Sequence, residues 1–443
     1  MPLPLDSTRL DDASGADAAD AENLFLRLFG SQPAAFWLDA GADAESGWSI
    51  LGGGDAESDA QAPGAVDLSV PREDDELPFR GGWVGWLSYE QGAAALGAPT
   101  AASTAGGRWI SVTHAVAIDH ARGQVHVLAA AADLSAWAAR VRRALETAAA
   151  SEPDAALSQP STARHTVDEY IALVEQCRAA IERGDAYQLC LTTGFTTARP
   201  EDPLAVYRRL RRATPAHHGG YLRVGREHLL SASPEQFLAV SGGVVTTSPI
   251  KGTRPRGATA GEDARLAAEL QQDVKERAEN VMIVDLMRND LSHVGVPGSV
   301  SVDRLWQVET YPAVHQLVST VRARLQAGVT VHDLWRATFP AGSMTGAPKL
   351  SAMTLLHGLE QRPRGVYSGC FGHIGLDGRV DLAMVIRSIV VDDSQAHVGA
   401  GGGITWLSDP AAEAAEVATK ARAPLRALGA TLPAEWAALH DSR

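Results

Sequence analysis

Cysteine, long apolar runs and targeting patterns are scarce in this chain. The three cysteines, Cys177, Cys190 and Cys370, are too few and too scattered for a disulfide framework or a structural zinc site. Asp133 interrupts the longest apolar stretch, and the N-terminus carries several acids without an apolar segment, so we expect neither a membrane span nor a signal peptide. These absences predict a cytoplasmic protein without membrane association.

Positive charge is scarce as well, because the formal net charge is −14 at pH 7. The short basic run Arg208 to Arg212 is interpreted as a solvated helix face, and no longer basic segment exists for a nucleic-acid backbone. We therefore expect no nucleic-acid partner. If the substrate is an anion, the acidic balance opposes its approach, and the site must concentrate positive charge through a metal ion or buried cations.

What is present is the composition of a large globular protein, with 443 residues, 45% hydrophobic and 21% charged. A stretch rich in Pro, Ser and Asp, from Ser151 to His165, separates an alanine-rich helical pattern from a helix that opens near Thr166. We place a boundary there, between an N-terminal lobe at residues 1–155 and a larger domain at residues 165–430.

Two pairs of apolar segments flank tight-turn dipeptides and predict β-hairpins. They are Gln236 to Val240 and Val244 to Ser248 around Gly242-Gly243, and Ser368 to Leu376 and Arg379 to Val391 around Asp377-Gly378. Hairpins imply antiparallel sheet. Because helical segments lie between them, the predicted fold class is α+β rather than doubly wound α/β.

The two turns bring polar residues together. Counting back from Gly242-Gly243 sets Glu235 opposite Lys251 to within about one residue, which fits a cross-strand salt bridge or an acid and an amine in one site. The second turn brings Tyr367 close to Arg387, which lies inside an apolar run. A guanidinium buried there needs an anionic partner, whereas strand alternation leaves an orientation toward solvent open.

Two pairs of glutamates have the three-residue spacing that places side chains on one helix face. They are Glu276 with Glu279, and Glu413 with Glu416. The second pair follows a helix start at Asp409-Pro410, and Lys420 lies four residues beyond it, an arrangement that also fits ordinary surface ion pairing. If both pairs face one cleft, two direct carboxylates and two acting through water suit Mg²⁺ and leave positions for a substrate carboxylate.

Two further segments contain glycine or cysteine motifs. Phe339 to Lys349 runs into a helix and fits either an ordinary Gly/Pro loop or an anion-binding loop, in which Thr345 is the candidate substrate contact. Gly399 to Gly403 lacks the spacing of a dinucleotide site. Cys370 lacks the first glycine of an amidotransferase nucleophile elbow and has no His-x-Glu motif after it, so we interpret it as a strand cysteine and expect no amidotransferase domain.

Six runs in the second part of the chain carry a family resemblance. They are Gly184 to Leu189, Ser233 to Phe237, Pro249 to Gly257, Val284 to Leu291, Phe339 to Lys349 and Asp409 to Lys420. In this order they resemble the chorismate-utilising family, which includes anthranilate synthase component I, aminodeoxychorismate synthase component I, isochorismate synthases and salicylate synthases. The looser runs Phe36 to Asp39 and Gly81 to Glu90 are similar to the first lobe of the ammonia-using members. The resemblance implies a two-lobed sandwich of antiparallel sheets with outer helices, and chorismate as substrate.

Residues at two positions distinguish the reactions that members of this family catalyse. Water-using members carry a lysine base where this chain has Gln188, and anthranilate synthases usually have Ala where it has Lys251. The resemblance therefore implies amination of chorismate at C4, with ammonia from a separate glutamine amidotransferase subunit, in 4-aminobenzoate synthesis for folate or a specialised aromatic amine. In this chemistry Lys251 is the nucleophile and Glu235 protonates the departing 4-hydroxyl.

The resemblance also implies binding roles. Glu279 and Glu416 would bind Mg²⁺ directly, supported by Glu276 and Glu413. Tyr367, Arg387 and Lys420 would hold the enolpyruvyl carboxylate, and the backbone near Gly252, Thr253 and Gly401 the ring carboxylate.

The chain departs from the family pattern at Gln316, where many relatives have His before Leu-Val-Ser, and at Cys190, where Asn is common. His315 is next to the first position but points elsewhere on a strand. Two alternatives therefore stay open. They are an anthranilate synthase component I and a catalytically weakened chorismate-binding subunit.

Overall fold

A computed structural model gives the fold of residues 2–10, 21–70, 77–103, 106–146, 153, 158–311 and 314–439. In these residues the helices are α1 (Ala21–Leu28), α2 (Tyr89–Ala95), α3 (Leu134–Leu145), α4 (Val167–Glu182), α5 (Pro203–Ala213), α6 (Ala260–Gln272), α7 (Val274–Ser292), α8 (Val331–Thr338), α9 (Lys349–Glu360), α10 (Pro410–Ala427) and α11 (Ala434–Ala438).

The strands of the N-terminal lobe are β1 (Asp6–Arg9), β2 (Ala34–Asp39), β3 (Trp48–Ala56), β4 (Gly82–Leu87), β5 (Arg108–Asp119) and β6 (Gln124–Ala129). Those that follow are β7 (Gln159–Pro160), β8 (Thr162–Ala163), β9 (Gln188–Ala198), β10 (His218–Val224), β11 (Glu227–Ser233), β12 (Gln236–Ser241), β13 (Val244–Thr247), β14 (Ile250–Pro255), β15 (Ser301–Thr310), β16 (Val314–Arg324), β17 (Gly346–Ala347), β18 (Cys370–Gly375), β19 (Val380–Met384), β20 (Ser388–Val391), β21 (Gln395–Ile404) and β22 (Ala430–Thr431).

The N-terminal strands join two halves of one antiparallel network of 20 strands. One half contains β9, β21, β20, β11 and β10, and the other contains β18, β19, β12, β13 and β16. β2 pairs with β10 and β4 pairs with β18, so both lobes share the same sheet. The separate strands β7 and β22 form a short parallel pair.

Three buried clusters define a layered sandwich. A first cluster joins one sheet half to α1, α3, α4, α5 and α10, and includes Phe25, Trp37 and Tyr170. A second joins the other half to α7 and α8, and a third, which includes Phe36 and Trp86, lies between the sheets. Burial of each such side chain stabilises the fold by about 1.5–3 kcal/mol. The order of helices, sheet, sheet and helices confirms the α+β prediction.

Local sequence signals fixed two helix starts as predicted. Thr166 caps α4, where its side chain accepts a hydrogen bond from the backbone of Glu169 and the Glu169 side chain bonds back in a capping box. Asp409 caps α10 by accepting a hydrogen bond from the backbone of Ala412, and Pro410 occupies the first turn.

Both predicted hairpins form. Ser241 lies opposite Val244 around the first turn, and Cys370 opposite Met384 across the second. The continuous strand predicted from Arg379 to Val391 was wrong, because it is broken after β19 and Arg387 takes a positive φ of 51°. The break has a physical reason, since β19 pairs with β12 and β18 whereas β20 pairs with β11 and β21.

The interpretation of Arg208 to Arg212 as a solvated helix face was also wrong. Arg208 is buried on α5 and lies 2.6 Å from Oε1 of Glu22. Arg211 lies 2.5 Å from Oδ2 of Asp39. Two acids of the N-terminal lobe, distant in sequence, make this arginine face an internal one.

The predicted lobe boundary is only partly within the described residues, since residues 154–157 lie outside them, and it stays a prediction. The three cysteines are unpaired and buried. In the described part of the chain, none of the helices is both long and apolar enough to span a membrane.

Candidate active site

The candidate site lies where β21 separates from β20. β20 pairs with β21 only at Val390 with His397 and at Val391 with Ala396, whereas β9 pairs with β21 as far as Ile404. Among the described residues, the other edge of β21 therefore has no strand partner from Gly399 onward. Backbone amides and carbonyls along this edge are available to a ligand or to side chains.

Glycine at position 403 leaves room for two side chains from other strands. A Cβ there would collide with Nε2 of Gln188 and would lie 3.7 Å from Nζ of Lys251. The structure thus brings Gln188 and Lys251 together. Gln188 is fully buried, and neither its amide nitrogen nor its oxygen has a hydrogen-bond partner among the described residues. A buried amide without a partner is costly, so the Gln188 side chain is available to a bound molecule.

Glu235 is a buried acid beside Lys251. Burial raises its pKa to about 7, although the charge of Lys251, a hydrogen bond from Ser343 and the charge of Lys420 act in the opposite direction. Ser343 Oγ donates to Oε1 at 3.1 Å. Glu235 can therefore carry a proton near neutral pH, as a general acid requires.

The structure brings Glu235 and Lys251 into one site, but not as the cross-strand pair that the hairpin count indicates. β13 ends at Thr247, and β14 pairs with β16, where Lys251 lies opposite Leu317. The two residues meet because β12 and β14 both reach the same end of the sandwich.

A β-bulge at Gly252 connects this pair to the acidic helix α7. Gly252 has a φ of 77°, and the register of β14 shifts between Lys251 and Thr253. A Cβ at Gly252 would lie 3.0 Å from Cγ and Cδ of Glu276. Thr253 is exposed and lies opposite Gln316.

The four predicted metal ligands all act on the ammonium group of Lys275. Its Nζ is 3.8 Å from Oε1 of Glu279. Partial burial lowers the pKa of Lys275, but Glu279, Glu413, Glu416 and Glu276 outweigh this effect and the pKa is raised. Glutamates of α7 and of α10 therefore lie near the same ammonium group.

This donor set fits a hard divalent cation, since all four groups are carboxylates. Glu413 is oriented by the Ser408 hydroxyl, which donates to its Oε1 at 2.7 Å. In the described chain no three such side chains converge closely enough to hold a metal ion, and the Lys275 ammonium group lies among them instead. The residues fit Mg²⁺ by chemistry and charge.

Lys420 links two of the predicted functions. Its Nζ donates to the Gly401 carbonyl oxygen at 2.8 Å and lies 2.7 Å from Oε1 of Glu416. Arg387 lies near Tyr367 and Glu416. Burial lowers the pKa of Arg387, and the charges of these two groups oppose this effect without reversing it. The predicted carboxylate-binding cations therefore lie beside the predicted metal ligands.

Thr345 is placed differently from its predicted role. It is fully buried, and its hydroxyl donates to the Ala341 carbonyl oxygen at 3.1 Å inside the loop before α9. Its own carbonyl oxygen accepts from the backbone of Cys190. Ser343, two residues earlier, is the hydroxyl that reaches Glu235. The small-residue loop was visible in the sequence, but no signal there distinguished the two hydroxyls.

A buried ion pair that sequence reasoning missed holds this loop against β9. Arg364 lies 2.7 Å from Oε1 of Glu360 and donates to the carbonyl oxygens of Met344 and Cys190 at 2.6 and 2.8 Å. The only available signal was the four-residue spacing of Glu360 and Arg364, although α9 ends at Glu360 and Arg364 lies beyond it.

His315 points away from the site, as the alternation of side chains along a strand predicts. Its Nε2 lies 2.9 Å from Oδ1 of Asp263, and its Nδ1 lies 2.9 Å from the Thr310 hydroxyl. Gln316 is buried on the opposite face of β16.

Known proteins resemble this chain in sequence and in fold. The family model described as chorismate binding enzyme matches residues 32–426. The chain belongs to the chorismate-binding enzyme family. The match includes both lobes, from β2 in the N-terminal strands to α10, which carries Glu413 and Glu416.

Individual members of this family resemble the chain along most of its length. An aminodeoxychorismate synthase of Streptomyces pristinaespiralis is 37% identical over 96% of this chain, which spans 66% of that relative's length. Anthranilate synthase component 1 of Streptomyces coelicolor is 40% identical over 79% of this chain and 73% of its own. The crystal structure of anthranilate synthase component I from Streptococcus pneumoniae TIGR4 is 29% identical, covers 90% of this chain and 96% of its own, and gives a TM-score of 0.72.

Proposed function

We propose that the chain is the chorismate-aminating component of an aminodeoxychorismate synthase, which converts chorismate and ammonia to 4-amino-4-deoxychorismate. The observation that carries the proposal is the grouping of Lys251 with Gln188 and Glu235 at one end of the sandwich. Similarity to an aminodeoxychorismate synthase along nearly the whole chain supports it.

The proposed reaction needs both an acid and an amine at one substrate ring. A proton that passes from Lys251 to Glu235 creates both the free amine that attacks and the carboxylic acid that protonates the leaving group. The amine forms a bond to C2 of chorismate, the diene electrons shift, and the 4-hydroxyl leaves as water with the proton of Glu235. A covalent Lys251 adduct results.

Ammonia completes the proposed cycle. It forms a bond to C4, the diene electrons shift back, and the bond between C2 and the Lys251 nitrogen breaks. One proton of the new ammonium group returns to Glu235. The sum is chorismate and ammonia giving 4-amino-4-deoxychorismate and water, with the enzyme unchanged.

We propose that Glu279 and Glu416 bind Mg²⁺ directly, with Glu276 and Glu413 acting through water. When bound, the ion supplies positive charge that holds a carboxylate of chorismate. Tyr367, Arg387 and Lys420 hold the enolpyruvyl carboxylate, and backbone amides near Gly252, Thr253 and Gly401 hold the ring carboxylate. Mg²⁺, Arg387 and Lys420 provide the local positive charge that a net charge of −14 makes necessary.

We further propose that ammonia is supplied by a separate glutamine amidotransferase subunit, and that the reaction takes place in the cytoplasm as a step toward 4-aminobenzoate. Cys370 does not act as an amidotransferase nucleophile in this proposal, because it is fully buried in β18 and burial raises its pKa.

The product decides between amination at C4 and at C2. Incubation with chorismate, Mg²⁺ and ammonium is expected to give 4-amino-4-deoxychorismate, identified by mass spectrometry. Fluorescent anthranilate with release of pyruvate would replace the proposal by anthranilate synthase component I, for which the Streptomyces coelicolor relative is the supporting observation. An inert protein, even with a glutamine-hydrolysing partner, would favour the binding subunit.

Lys251→Ala tests the covalent step. We expect turnover to fall by about 10³-fold or more and the chorismate-derived adduct to disappear from the intact-mass spectrum, while chorismate still binds. An adduct that persists on another residue would show that the nucleophile is misassigned.

A further inference from the structure

A second cavity lies on the same face of the β9–β21 ladder as Gly403. It has a volume of about 620 Å³ and opens where Gly194 pairs with Gly399, four residues before Gly403 on β21. The ring of Tyr367 packs on Gly399 and forms part of its wall. Lys251 does not line it. We call this space the rear cavity.

Each of the two acidic side chains that line the rear cavity has a side-chain partner. Oε1 of Glu227 accepts a hydrogen bond from Arg108 at 2.8 Å. Oδ2 of Asp392 lies 2.8 Å from Nε2 of His397. Burial lowers the pKa of His228 to about 3, so this ring is uncharged at neutral pH.

Two arginines remain without such a partner. Nη2 of Arg164, which is half-buried, donates to the Pro363 carbonyl oxygen at 2.9 Å, and Arg362 lies exposed at the rim. Within the described ranges, neither guanidinium forms an ion pair with a carboxylate. Glu360, the acid that most affects the pKa of Arg164, is bonded to Arg364. A guanidinium with five donors in a cavity is a binding group for an anion.

The remaining wall is largely apolar. It is formed by Val366, Val390, Val391, Val398 and Trp86, with the threonines of β8 and β9 near the arginines. A phosphate ion has no group that these valines would contact, whereas a carboxylate with a hydrocarbon body matches both halves of the cavity. We propose that the rear cavity binds a small aromatic or branched monocarboxylate, whose carboxylate pairs with Arg164 and Arg362.

Calorimetry with sodium benzoate tests this site in the full chain without chorismate, so the result is independent of the product identity. We expect wild-type protein to bind benzoate and Arg164→Met to bind it at least about tenfold more weakly, a difference of about 1.4 kcal/mol. Arg226→Met is the matched control, since Arg226 is exposed, pairs with Asp393 and does not line the cavity. It should bind benzoate as wild type does, whereas benzamide, which has no charge, should bind weakly to all three.

Gly194→Leu provides a second variant that does not remove a charge. The nearest atoms to a Cβ at Gly194 lie 3.8 Å away, so a side chain enters the cavity without a backbone collision. We expect this variant to lose benzoate binding and to keep ammonia-dependent turnover.

Three results would overturn the proposal. They are unchanged benzoate binding in Arg164→Met, displacement of benzoate by chorismate, and loss of ammonia-dependent turnover in Gly194→Leu at unchanged chorismate affinity. The last result would make the rear cavity a route for ammonia into the active site.

Discussion

Glu235 is buried with an acid pKa of about 7, which makes both the chemistry and the stability of the protein depend on pH at this residue. The proposed reaction begins when ionised Glu235 accepts a proton from Lys251, so we expect kcat/KM of the wild type to fall as pH drops below about 7. Glu235→Gln should reduce kcat by about 10²–10⁴-fold and remove this limb of the profile. A variant that keeps the limb would assign it to another group.

The same substitution, which should lower activity, should raise the free energy of unfolding at high pH. A glutamate whose pKa is raised from 4.5 contributes stability that is fully present below that value and is lost as pH rises through about 7. Glu235→Gln carries no such charge, so it should be more stable than wild type at pH 8, by on the order of 3 kcal/mol. At pH 4 the two should unfold at similar denaturant concentrations. Equal stability at pH 8 would show that ionised Glu235 is well compensated.

Gly403 tests the close approach of Gln188 and Lys251. Gly403→Ala places a methyl group against the Gln188 amide, so we expect at least about a tenfold loss of kcat/KM, since small displacements at a reacting centre are costly. Gly358→Ala is the control, because nothing lies within 4 Å of a Cβ there and alanine favours the α9 helix. Equal activity of the two variants would contradict the predicted site.

For single residues, sequence reasoning identified the candidates more reliably than the partners that they contact. Lys251 and Glu235 stood out as an acid and an amine near one turn, and the structure places them in one site. Ser343 could not be selected as the partner of Glu235, nor Arg364 as a donor to the Cys190 carbonyl oxygen, because each pair is distant in sequence. The buried role of Arg211 was missed for the same reason, since Asp39 lies in the other lobe.

Among the elements, α10 begins at a predicted N-cap residue and carries two of the proposed metal ligands. Asp409 caps the helix that carries Glu413, Glu416 and Lys420. Asp409→Ala should cost about 1 kcal/mol of stability and also raise the Mg²⁺ concentration needed for half-maximal chorismate binding. Thr166→Ala removes a similar cap from α4, which carries none of the predicted ligands, and should cost stability alone. Matching Mg²⁺ titrations of the two variants would argue against a metal site at α10.

Element boundaries were predictable where a few neighbouring residues decide them. The dipeptides Gly242-Gly243 and Asp377-Gly378 fixed both hairpins, since positive φ at these glycines suits a tight turn. The break before Arg387 was not predictable, because the apolar run continues through it and only the change of partner strands interrupts the ladder. Pairing of β14 with β16 is likewise decided by the whole sheet.

The whole molecule is held together by the pairing of β2 with β10 and of β4 with β18. Removal of the N-terminal strands would leave long hydrogen-bonding edges open and expose the cluster between the sheets. We therefore expect one cooperative transition for both lobes in calorimetry, with equal calorimetric and van't Hoff enthalpies. Two separate transitions would show that the lobes fold independently. Sequence analysis predicted two lobes but not these contacts, because no local pattern specifies which distant strands pair.

The alternate glycines of β21 have a consequence for the dynamics of the protein. At Gly399, Gly401 and Gly403 the strand has no side chains on its inner face, and one of its edges has no neighbouring strand among the residues that the structure describes. A ligand that binds there supplies both the missing packing and the missing backbone partners, as an additional strand would. Amide hydrogen exchange in this one strand should therefore slow on substrate binding more than elsewhere in the sheet, and can report occupancy without any measurement of turnover.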